Sequence, residues 1–365
     1  MKLSLFYLPT YWPQTNGSVA QLYNDILEEI EFIDQNGFDA AWFAEHHFCR
    51  YGGMIPSVPV IAAAAAQRTR NIRIGSSIAL IALNDPVRVA EEFAMLDNLS
   101  GGRIDFGIGR AFQRQEYDAF EVPMEQSRAR FDEAHEIILK AWGEGNATHE
   151  GKYRHLRGVN VIPKPLQRPH PPIYVACIFT PESFDFTGSH GYHLMYVPYV
   201  STAEDAHERV GWYRDALSRA GHDPATREIM MCAHFFQGES ARHAREYPRP
   251  FMANYFALAA EANRTDADPS QYKSYAGIGN IFQALHENYD LMYPNKVIFG
   301  DADQCVERFA YYEAMGATHI SLIGNFGGMP HAEIMRSLER FVKHVMPYLK
   351  SGKSRTPRQG AAAGR

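Results

Sequence analysis

The sequence predicts an α/β fold, a (β/α)8 TIM barrel with insertions at its C-terminal face. Short strand-like runs and amphipathic helical runs alternate from the first residues of the 365-residue chain. Four strand–helix units within roughly 140 residues indicate parallel strands joined by right-handed crossovers. The second half adds four further strands, and eight units favour a closed barrel over an open sheet.

Turn and cap residues delimit the elements of the first half. The helix Val19–Gln35 ends at Asn36-Gly37, because asparagine and glycine commonly stop helices. Pro86 starts another helix after Asn84-Asp85, and Ser100-Gly101-Gly102 ends it. The predicted strands here are Lys2–Leu8, Phe38–Ala44, Ile72–Ala79 and Arg103–Gly109, and the other helices are Val58–Arg68 and Glu125–Trp142.

The second half repeats the pattern with two interruptions. Its predicted strands are Ile173–Cys177, His193–Val197, Glu228–Phe235 and His319–Ile323, and its helices are Pro181–His190, Ala203–Ala220 and Ala332–Tyr348. Insertions are expected at about 149–172 and 238–296, the second long enough for a lid or cap over the barrel mouth. We therefore expect a single barrel domain over residues 1–350 and a disordered tail over 351–365.

Composition narrows the classes of partner. The net charge is −6, with no basic run outside the tail, which argues against nucleic acid or an anionic membrane. No signal-like start and no apolar run of about 18 residues occurs, so we expect a cytoplasmic protein without a membrane segment. The four cysteines lack CxxC spacing, so neither a zinc knuckle nor a disulfide framework is indicated.

Glu45-His46-His47 directly follows the second predicted strand. The carboxyl ends of barrel strands carry active sites, so we interpret these side chains as candidate catalytic groups. The simpler alternative is a polar loop with histidines bonded to the backbone. A metal site is a further alternative, but adjacent residues of an extended segment point to opposite sides and converge poorly on one ion.

Arg110 follows the fourth strand, in the run Gly107-Ile108-Gly109-Arg110. Glycines let a ligand approach the backbone, and a guanidinium group pairs well with a phosphate dianion. The alternative is an ion pair with Glu116. This GxG lacks the third glycine and the later acidic residue of a dinucleotide-binding fingerprint.

Thr180 and Ser183 flank Pro181 where the fifth strand meets its helix. Free N–H groups at a helix start bind anions, and two hydroxyls lie beside them; a plain helix cap is the alternative. Gly75-Ser76-Ser77-Ile78 on the third strand could admit a flat ring against the backbone, or could simply fill a tapering barrel.

These motifs, in this order and spacing, resemble those of the bacterial luciferase-like flavin monooxygenases, most clearly over residues 1–200. The resemblance rests on Gly37-Phe38-Asp39, Trp42 with Glu45-His46-His47-Phe48, Asp85-Pro86-Val87-Arg88-Val89-Ala90-Glu91, Leu96-Asp97-Asn98-Leu99-Ser100-Gly101-Gly102-Arg103, Phe106-Gly107-Ile108-Gly109-Arg110 and Met124-Glu125-Gln126-Ser127-Arg128.

The resemblance implies a barrel that binds reduced FMN at its C-terminal mouth and a partner flavin reductase that supplies it. Arg110, Thr180 and Ser183 would hold the FMN phosphate. Ser77-Ile78 would form a cis peptide bond beside the flavin ring. His46 would be the catalytic histidine, with Glu45 its neighbour near the flavin.

Further expectations concern the pocket and the departures from the family pattern. Phe6, Trp42 and Phe48, together with aromatic residues of the second insertion, are expected to line an apolar substrate pocket. Glu45 or a backbone carbonyl is expected to fix the tautomer of His46. Gly109, expected beside the flavin, replaces the reactive cysteine of the luciferase catalytic subunit, which argues against bright light emission. Phe179 replaces a glutamate beside the phosphate.

The sequence thus predicts a two-component FMN-dependent monooxygenase that uses O2 to oxygenate a small or medium organic molecule such as an aldehyde or ketone. The alternatives are a deazaflavin (F420)-dependent hydride-transfer oxidoreductase on the same fold and a non-catalytic flavin-binding homologue. The helices at 60–66 and 87–99 are candidate surfaces for a homodimer or a heterodimer with a related subunit.

Overall fold

Eight parallel strands close into a barrel in the computed structural model, which describes residues 1–263 and 277–351. The barrel strands follow the order β1-β2-β3-β5-β8-β9-β10-β12, and β12 pairs with both β10 and β1. The strands are β1 (Lys2–Tyr7), β2 (Ala40–Phe43), β3 (Arg73–Ser76), β4 (Ala79–Leu80), β5 (Ile104–Gly109), β6 (Ala147–Glu150), β7 (His155–Val159), β8 (Ile173–Cys177), β9 (His193–Tyr196), β10 (Ile229–Gln237), β11 (Val297–Gly300) and β12 (His319–Ile323).

Helices between the strands pack around the barrel, as the predicted (β/α)8 fold requires. They are α1 (Pro13–Asn16), α2 (Val19–Gln35), α3 (Val58–Arg68), α4 (Pro86–Ser100), α5 (Arg114–Ala119), α6 (Ser127–Trp142), α7 (Pro181–Ser189), α8 (Ala203–Arg219), α9 (Ala241–Glu246), α10 (Arg249–Ala262), α11 (Ile278–Glu287), α12 (Ala302–Ala314), α13 (His331–His344) and α14 (Met346–Ser351). The predicted caps are present: Asp85 accepts hydrogen bonds from the N–H groups of Val87 and Arg88, and Gly101 ends α4 in the left-handed conformation.

All eight predicted barrel strands are present, and the fold class is confirmed. The predicted third strand is divided into β3 and β4 around Ser77-Ile78, whose peptide bond is cis, as the family resemblance implied.

A strand and a helix after the second insertion were not predicted. The nine-residue strand β10 extends past its partner β12, and β11 pairs with this extension from His234 to Gln237. The helix α12 then begins with a capping box formed by Asp301 and Gln304. The apolar run Val297-Ile298-Phe299 was the available signal.

The two predicted insertions contain regular structure. The first carries the antiparallel hairpin β6–β7, and the second carries α9, α10 and α11, of which α10 and α11 pack against each other. The polar stretch 264–270 and the predicted tail after Ser351 lie outside the described residues. Within residues 1–263 and 277–351, none of the helices combines the length and apolar character that crossing a bilayer requires.

The amino-terminal end of the barrel is held by buried ion pairs. Arg73 on β3 binds Asp105 on β5 at 2.6 Å. Glu228 accepts hydrogen bonds from Lys2 and from His319 Nδ1; burial opposes its ionisation, but these two partners hold its pKa well below the usual range. Barrel enzymes bind their ligands at the opposite end, where the strands terminate at their carboxyl ends.

A second charged cluster joins α2 to the first residue of α13. His331 Nδ1 lies 3.2 Å from Glu29 Oε1, and its Nε2 lies 3.3 Å from Glu28 Oε2, with Asp25 nearby. Burial alone would lower the pKa of His331, but its carboxylate neighbours, led by Glu29, raise it to about 9. The ion pairs of the His331 imidazolium therefore connect the start of α13 to α2.

We expect this cluster to make stability depend on pH in the alkaline range. Because the pKa of His331 is raised on folding, its contribution is fully present below about pH 6.5 and is lost as the pH rises through about 9. The midpoint of urea unfolding should fall over this interval in the wild type and fall less in His331→Gln.

His155→Gln is the matched control, because His155 pairs with Glu150 on the exposed hairpin, at 2.8 Å. Equal slopes of the unfolding midpoint against pH in the wild type and His331→Gln would contradict the assignment.

Candidate active site

A deep cavity opens at the carboxyl ends of the barrel strands. Its walls come from the residues that follow β1, β2, β5, β8 and β9, and from α10 and α11 of the second insertion. The space between these walls, counted out to the open mouth, is about 1020 Å³. This is enough for a ligand of several hundred daltons, and most of the lining is apolar.

His46 lies in the cavity wall with one ring nitrogen fixed. Its Nδ1 is 3.0 Å from Glu116 Oε1, and the same oxygen accepts the backbone N–H of His47 at 3.0 Å. Glu116, on α5, is 0% exposed, and the ring of Phe112 packs edge-on against the imidazole at 5.5 Å. With Nδ1 held by the carboxylate, Nε2 is the nitrogen left to meet a bound molecule.

The sequence named Glu116 only in the alternative interpretation of Arg110, as its ion-pair partner, and the structure shows that Glu116 binds the histidine segment. Its Oε1 takes both hydrogen bonds from the histidine segment, and its Oε2 is buried with no hydrogen-bond partner among the described residues. His46 and Glu116 are 70 residues apart in the sequence, so local sequence patterns did not predict their contact. Only the meeting of the β2 and β5 loops at one mouth brings them together.

Glu45 also lines the cavity but does not fix the tautomer of His46, so that expectation was wrong. Its Oε1 contacts His47 Nε2 at 3.1 Å and accepts from Asn84 Nδ2 at 2.8 Å. Its Oε2 accepts the backbone N–H of Leu80 at 3.2 Å. The two histidine rings thus bind different carboxylates and do not converge on one point.

A compact recess adjoins the cavity and gathers the predicted phosphate ligands. Arg110, Thr180 and Ser183 all line it, and Gly109 and Arg110 line both spaces. The hydroxyls of Thr180 and Ser183 lie 2.8 Å apart, and the Thr180 side chain makes no capping bond to α7. Their mutual hydrogen bond uses one of the two hydroxyl hydrogens, and the other hydroxyl hydrogen lies beside the helix start with the N–H groups of its first turn, an arrangement that favours an anion.

Arg128 is the ligand of this recess that sequence reasoning missed. It extends from α6 into the same lining, its guanidinium lies 5.2 Å from the Phe186 ring centre, and it pairs with Asp132 at 2.9 Å. Its position after Gln126-Ser127 was noted as part of a motif without a role. Two guanidinium groups around one recess suit a doubly charged phosphate.

Ser77, Ile78 and Gly109 form one side of the cavity. A Cβ atom at Gly109 would lie 1.9 Å from Ile78 Cδ1, so the absence of a side chain there is what admits Ile78. A cysteine at this position would require Ile78 to move.

Two of the three aromatic residues expected in the pocket lie elsewhere. Phe6 lines the cavity, but Trp42 is 0% exposed in the barrel interior, against Gly75 and 4.8 Å from Tyr174. Phe48, at a positive φ of 61°, turns outward and is 64% exposed. Tyr255 and Phe282 of the second insertion line the cavity, as expected of the aromatic residues of that insertion. Aromatic residues of the cavity that were not predicted are Tyr51, Phe112, Tyr196 and Tyr199.

Comparison with known proteins agrees with this architecture. Residues 1–319 match the family model described as luciferase-like monooxygenase. The oxygenase component of the flavin-dependent trigonelline monooxygenase of Acinetobacter baylyi is 29% identical over 339 residues, which is 91% of each chain.

Solved structures show the same barrel. The monooxygenase RslO1 from Streptomyces bottropensis superposes with a TM-score of 0.83 at 31% identity, over 96% of this chain and 100% of that one. An F420-dependent secondary alcohol dehydrogenase, at 19% identity and a TM-score of 0.73 over 94% and 98% of the two chains, shares the fold alone. The chain therefore belongs to the luciferase-like monooxygenase family and is an enzyme of this oxidoreductase class.

Proposed function

We propose that this protein is the oxygenase component of a two-component FMN-dependent monooxygenase that oxygenates a small or medium organic substrate. The observation that carries the proposal is a recess with two guanidinium groups and a hydroxyl-bearing helix start, which shares Gly109 and Arg110 with a cavity lined by His46. The flavin-dependent relative, named as an oxygenase component, supports the same assignment.

The residues of the recess fit the phosphate of FMN. Arg110 and Arg128 would balance its charge, and Thr180 and Ser183 would donate hydrogen bonds to its oxygens. Ser77, Ile78 and Gly109 would contact the ring system from the cavity wall. Reduced flavin, when bound, supplies the electrons that activate O2.

His46 would act as the acid or base on the reacting oxygen. Its Nδ1–H donates to Glu116, which orients the ring and leaves Nε2 to give or take a proton at the cavity surface. The apolar walls exclude water from this nitrogen and from the reacting atoms. Glu45 holds His47 and the backbone at Leu80, so we assign it a positioning role.

A flavin reductase is the partner we propose, because the named relative is one component of such a system. Val60 on α3 and Met95 and Leu99 on α4 are exposed apolar residues on the two predicted contact helices, and we propose these for pairing with a second subunit. A cytoplasmic location remains a prediction from the sequence.

An F420-dependent hydride transfer is the competing function, favoured only by fold-level similarity. Oxygen uptake distinguishes the two: the protein should consume O2 with FMN and a generic flavin reductase in a substrate-dependent manner. A panel of aldehydes, ketones and terpenoids would supply the substrates. Turnover with reduced F420 and no coupled oxygen uptake would favour the alternative, and FMN binding without any turnover would indicate a non-catalytic homologue.

Arg110→Ala should weaken FMN binding by about 2–3 kcal/mol, because it removes a charge-assisted hydrogen bond to the phosphate. Riboflavin, which lacks the phosphate, should bind the wild type and the variant equally. Fluorescence titration measures both affinities, with Arg336→Ala, an exposed residue paired with Glu333, as the control. Unchanged FMN affinity in Arg110→Ala would remove the phosphate assignment.

His46→Ala should reduce product yield per FMN oxidised by roughly 100-fold, the scale of a lost general acid or base, while FMN affinity stays near wild type. Product and oxygen consumption are measured together with the best substrate of the panel. His155→Ala, on the exposed hairpin, is the control. A yield equal to the wild type would exclude the proposed role of His46.

Glu116→Gln should allow both neutral tautomers of His46, because the substitution keeps the shape of the Glu116 side chain but replaces its carboxylate with an amide. In the wild type, ¹⁵N NMR of the labelled imidazole should show the hydrogen on Nδ1, because a carboxylate can only accept. The amide of the variant can also donate, so a mixture of neutral tautomers is expected at alkaline pH. A wild-type spectrum with the hydrogen on Nε2 alone would show that Glu116 does not orient the ring.

A further inference from the structure

The helix α2 and the first residue of α13 bring three carboxylates around one imidazole, away from the cavity. Asp25, Glu28 and Glu29 are three and four positions apart on α2, so they share the helix face that meets His331. Asp25, Glu28 and His331 each offer one ligand atom, and these three atoms lie within 4.8 Å of one another. None of these four residues lines the cavity or the recess, so the cluster is separate from the proposed active site.

The carboxylates of this cluster outnumber the cationic groups beside them. His331 contacts Glu28 and Glu29, and within residues 1–263 and 277–351 neither a lysine nor an arginine pairs with any of the three carboxylates. Asp25 accepts a hydrogen bond from the neutral amide of Gln21 at 2.7 Å. One imidazole therefore serves three acidic groups, and a divalent cation would offset the excess negative charge.

The buried carboxylate of Glu29 is a second, independent sign of a missing partner. Glu29 is 0% exposed, and its Oε1 lies 3.2 Å from His331 Nδ1 and 3.3 Å from Asn325 Nδ2. Its Oε2 and the hydroxyl of Tyr7 face each other in the interior, and neither completes a hydrogen bond of regular geometry. Because a buried carboxylate is costly to leave undercompensated, Glu29 favours additional positive charge next to it.

Glu29 also fixes which nitrogen of His331 is directed at the other two carboxylates. With Nδ1 at Glu29, Nε2 is the nitrogen that lies 3.3 Å from Glu28 Oε2. Metal-binding histidines commonly place one nitrogen on the metal and donate the other N–H to a carboxylate. Ligand atoms around a tetrahedral ion are about 3.4 Å apart, so the cluster requires only small side-chain movements. The Glu28 side chain is 62% exposed, which lets it move and lets an ion enter from solvent.

We propose that Asp25, Glu28 and His331 bind a divalent transition-metal ion such as Zn²⁺, through two carboxylate oxygens and His331 Nε2, with water completing the coordination. One imidazole and two carboxylates favour such an ion over Mg²⁺ and Ca²⁺, which prefer oxygen ligands alone. On binding, His331 Nε2 releases its hydrogen to solvent as a proton and donates its lone pair to the metal. In the metal-free protein that hydrogen remains between Nε2 and Glu28. The inference does not depend on the proposed function.

The ion has a structural role, because it fixes the segment between β12 and α13 to α2. The same segment supports the wall of the cavity. Asn254 of α10 donates a hydrogen bond to Gly327 O at 2.9 Å, and Phe326 packs edge-on against His234 at 5.2 Å. Bound metal should therefore stabilise the folded protein, since it binds an arrangement that the unfolded chain lacks.

Zn²⁺ binding to the full-length protein, stripped of metal with a chelator and dialysed, tests the site. Calorimetry near neutral pH should show one ion bound per chain, and Mg²⁺ should not compete. Glu29→Gln should weaken Zn²⁺ binding by roughly 10- to 100-fold, the effect of losing a partner that orients a metal-binding histidine. Glu28→Gln and His331→Gln should weaken it at least as much, because each removes one of three protein ligands.

Two variants control for adventitious binding to surface groups. Glu31→Gln removes an exposed carboxylate of the same helix that pairs with Arg68 at 3.7 Å, and His155→Gln removes an exposed histidine of the hairpin. Both should bind Zn²⁺ as the wild type does.

Thermal unfolding gives a second readout of the same site. Zn²⁺ should raise the Tm of the wild type and of both controls, and it should not raise the Tm of Glu28→Gln or His331→Gln. Because Glu28 is exposed, Glu28→Gln decides the test if His331→Gln does not fold. Absence of Zn²⁺ binding to the wild type, equal affinity in Glu28→Gln, or loss of binding in His155→Gln would overturn the proposal.

Discussion

The pairing of β12 with both β1 and β10 closes the sheet, and the site depends on this closure. Once the ring is closed, the carboxyl ends of all eight parallel strands meet at one mouth. The histidine segment after β2, the arginine after β5 and the hydroxyls at the start of α7 then lie around this mouth, in the adjoining cavity and recess. In an open sheet the same segments would lie along an edge, and the recess and the cavity would not adjoin.

Charge is distributed unequally between the two ends of the barrel. At the amino-terminal end, Arg73 pairs with Asp105 and Glu228 pairs with His319, and these partly buried pairs join neighbouring segments of the barrel. At the carboxyl end, Glu116 is buried; one of its oxygens accepts from the histidine segment, and the other has no hydrogen-bond partner within residues 1–263 and 277–351. Ion pairs therefore stabilise the amino-terminal end of the barrel, and the polar groups that are candidates for binding lie at the carboxyl end.

The cavity itself has two chemically distinct parts. The recess around Arg110 and Arg128 suits a phosphate, whereas the wall of the cavity carries the mutually bonded hydroxyls of Tyr51, Tyr199 and Tyr255. His46 is packed against Tyr51 and held by Glu116.

The sequence by itself determined the barrel, its eight strands and the placement of His46, Arg110, Thr180 and Ser183 at strand ends. This was possible because the place where each strand begins and ends along the chain is set by nearby residues. Periodicity, glycine stops and helix caps act over a few residues, and they can be read directly from the chain. The Ser77-Ile78 cis bond followed from the family motif. These features place residues at the mouth without stating which of them touch.

Only the tertiary structure decided the contacts between distant segments. Glu116 meets His46 across 70 residues, and Tyr255 meets Tyr51 across 204. Trp42 and Phe48 do not line the pocket, although both are aromatic. Trp42 is buried in the barrel interior, and the positive φ of Phe48 turns its side chain outward. Strand β11 forms because β10 extends beyond β12 and offers it a pairing edge. Such outcomes depend on packing among segments far apart in the chain, which no local pattern records.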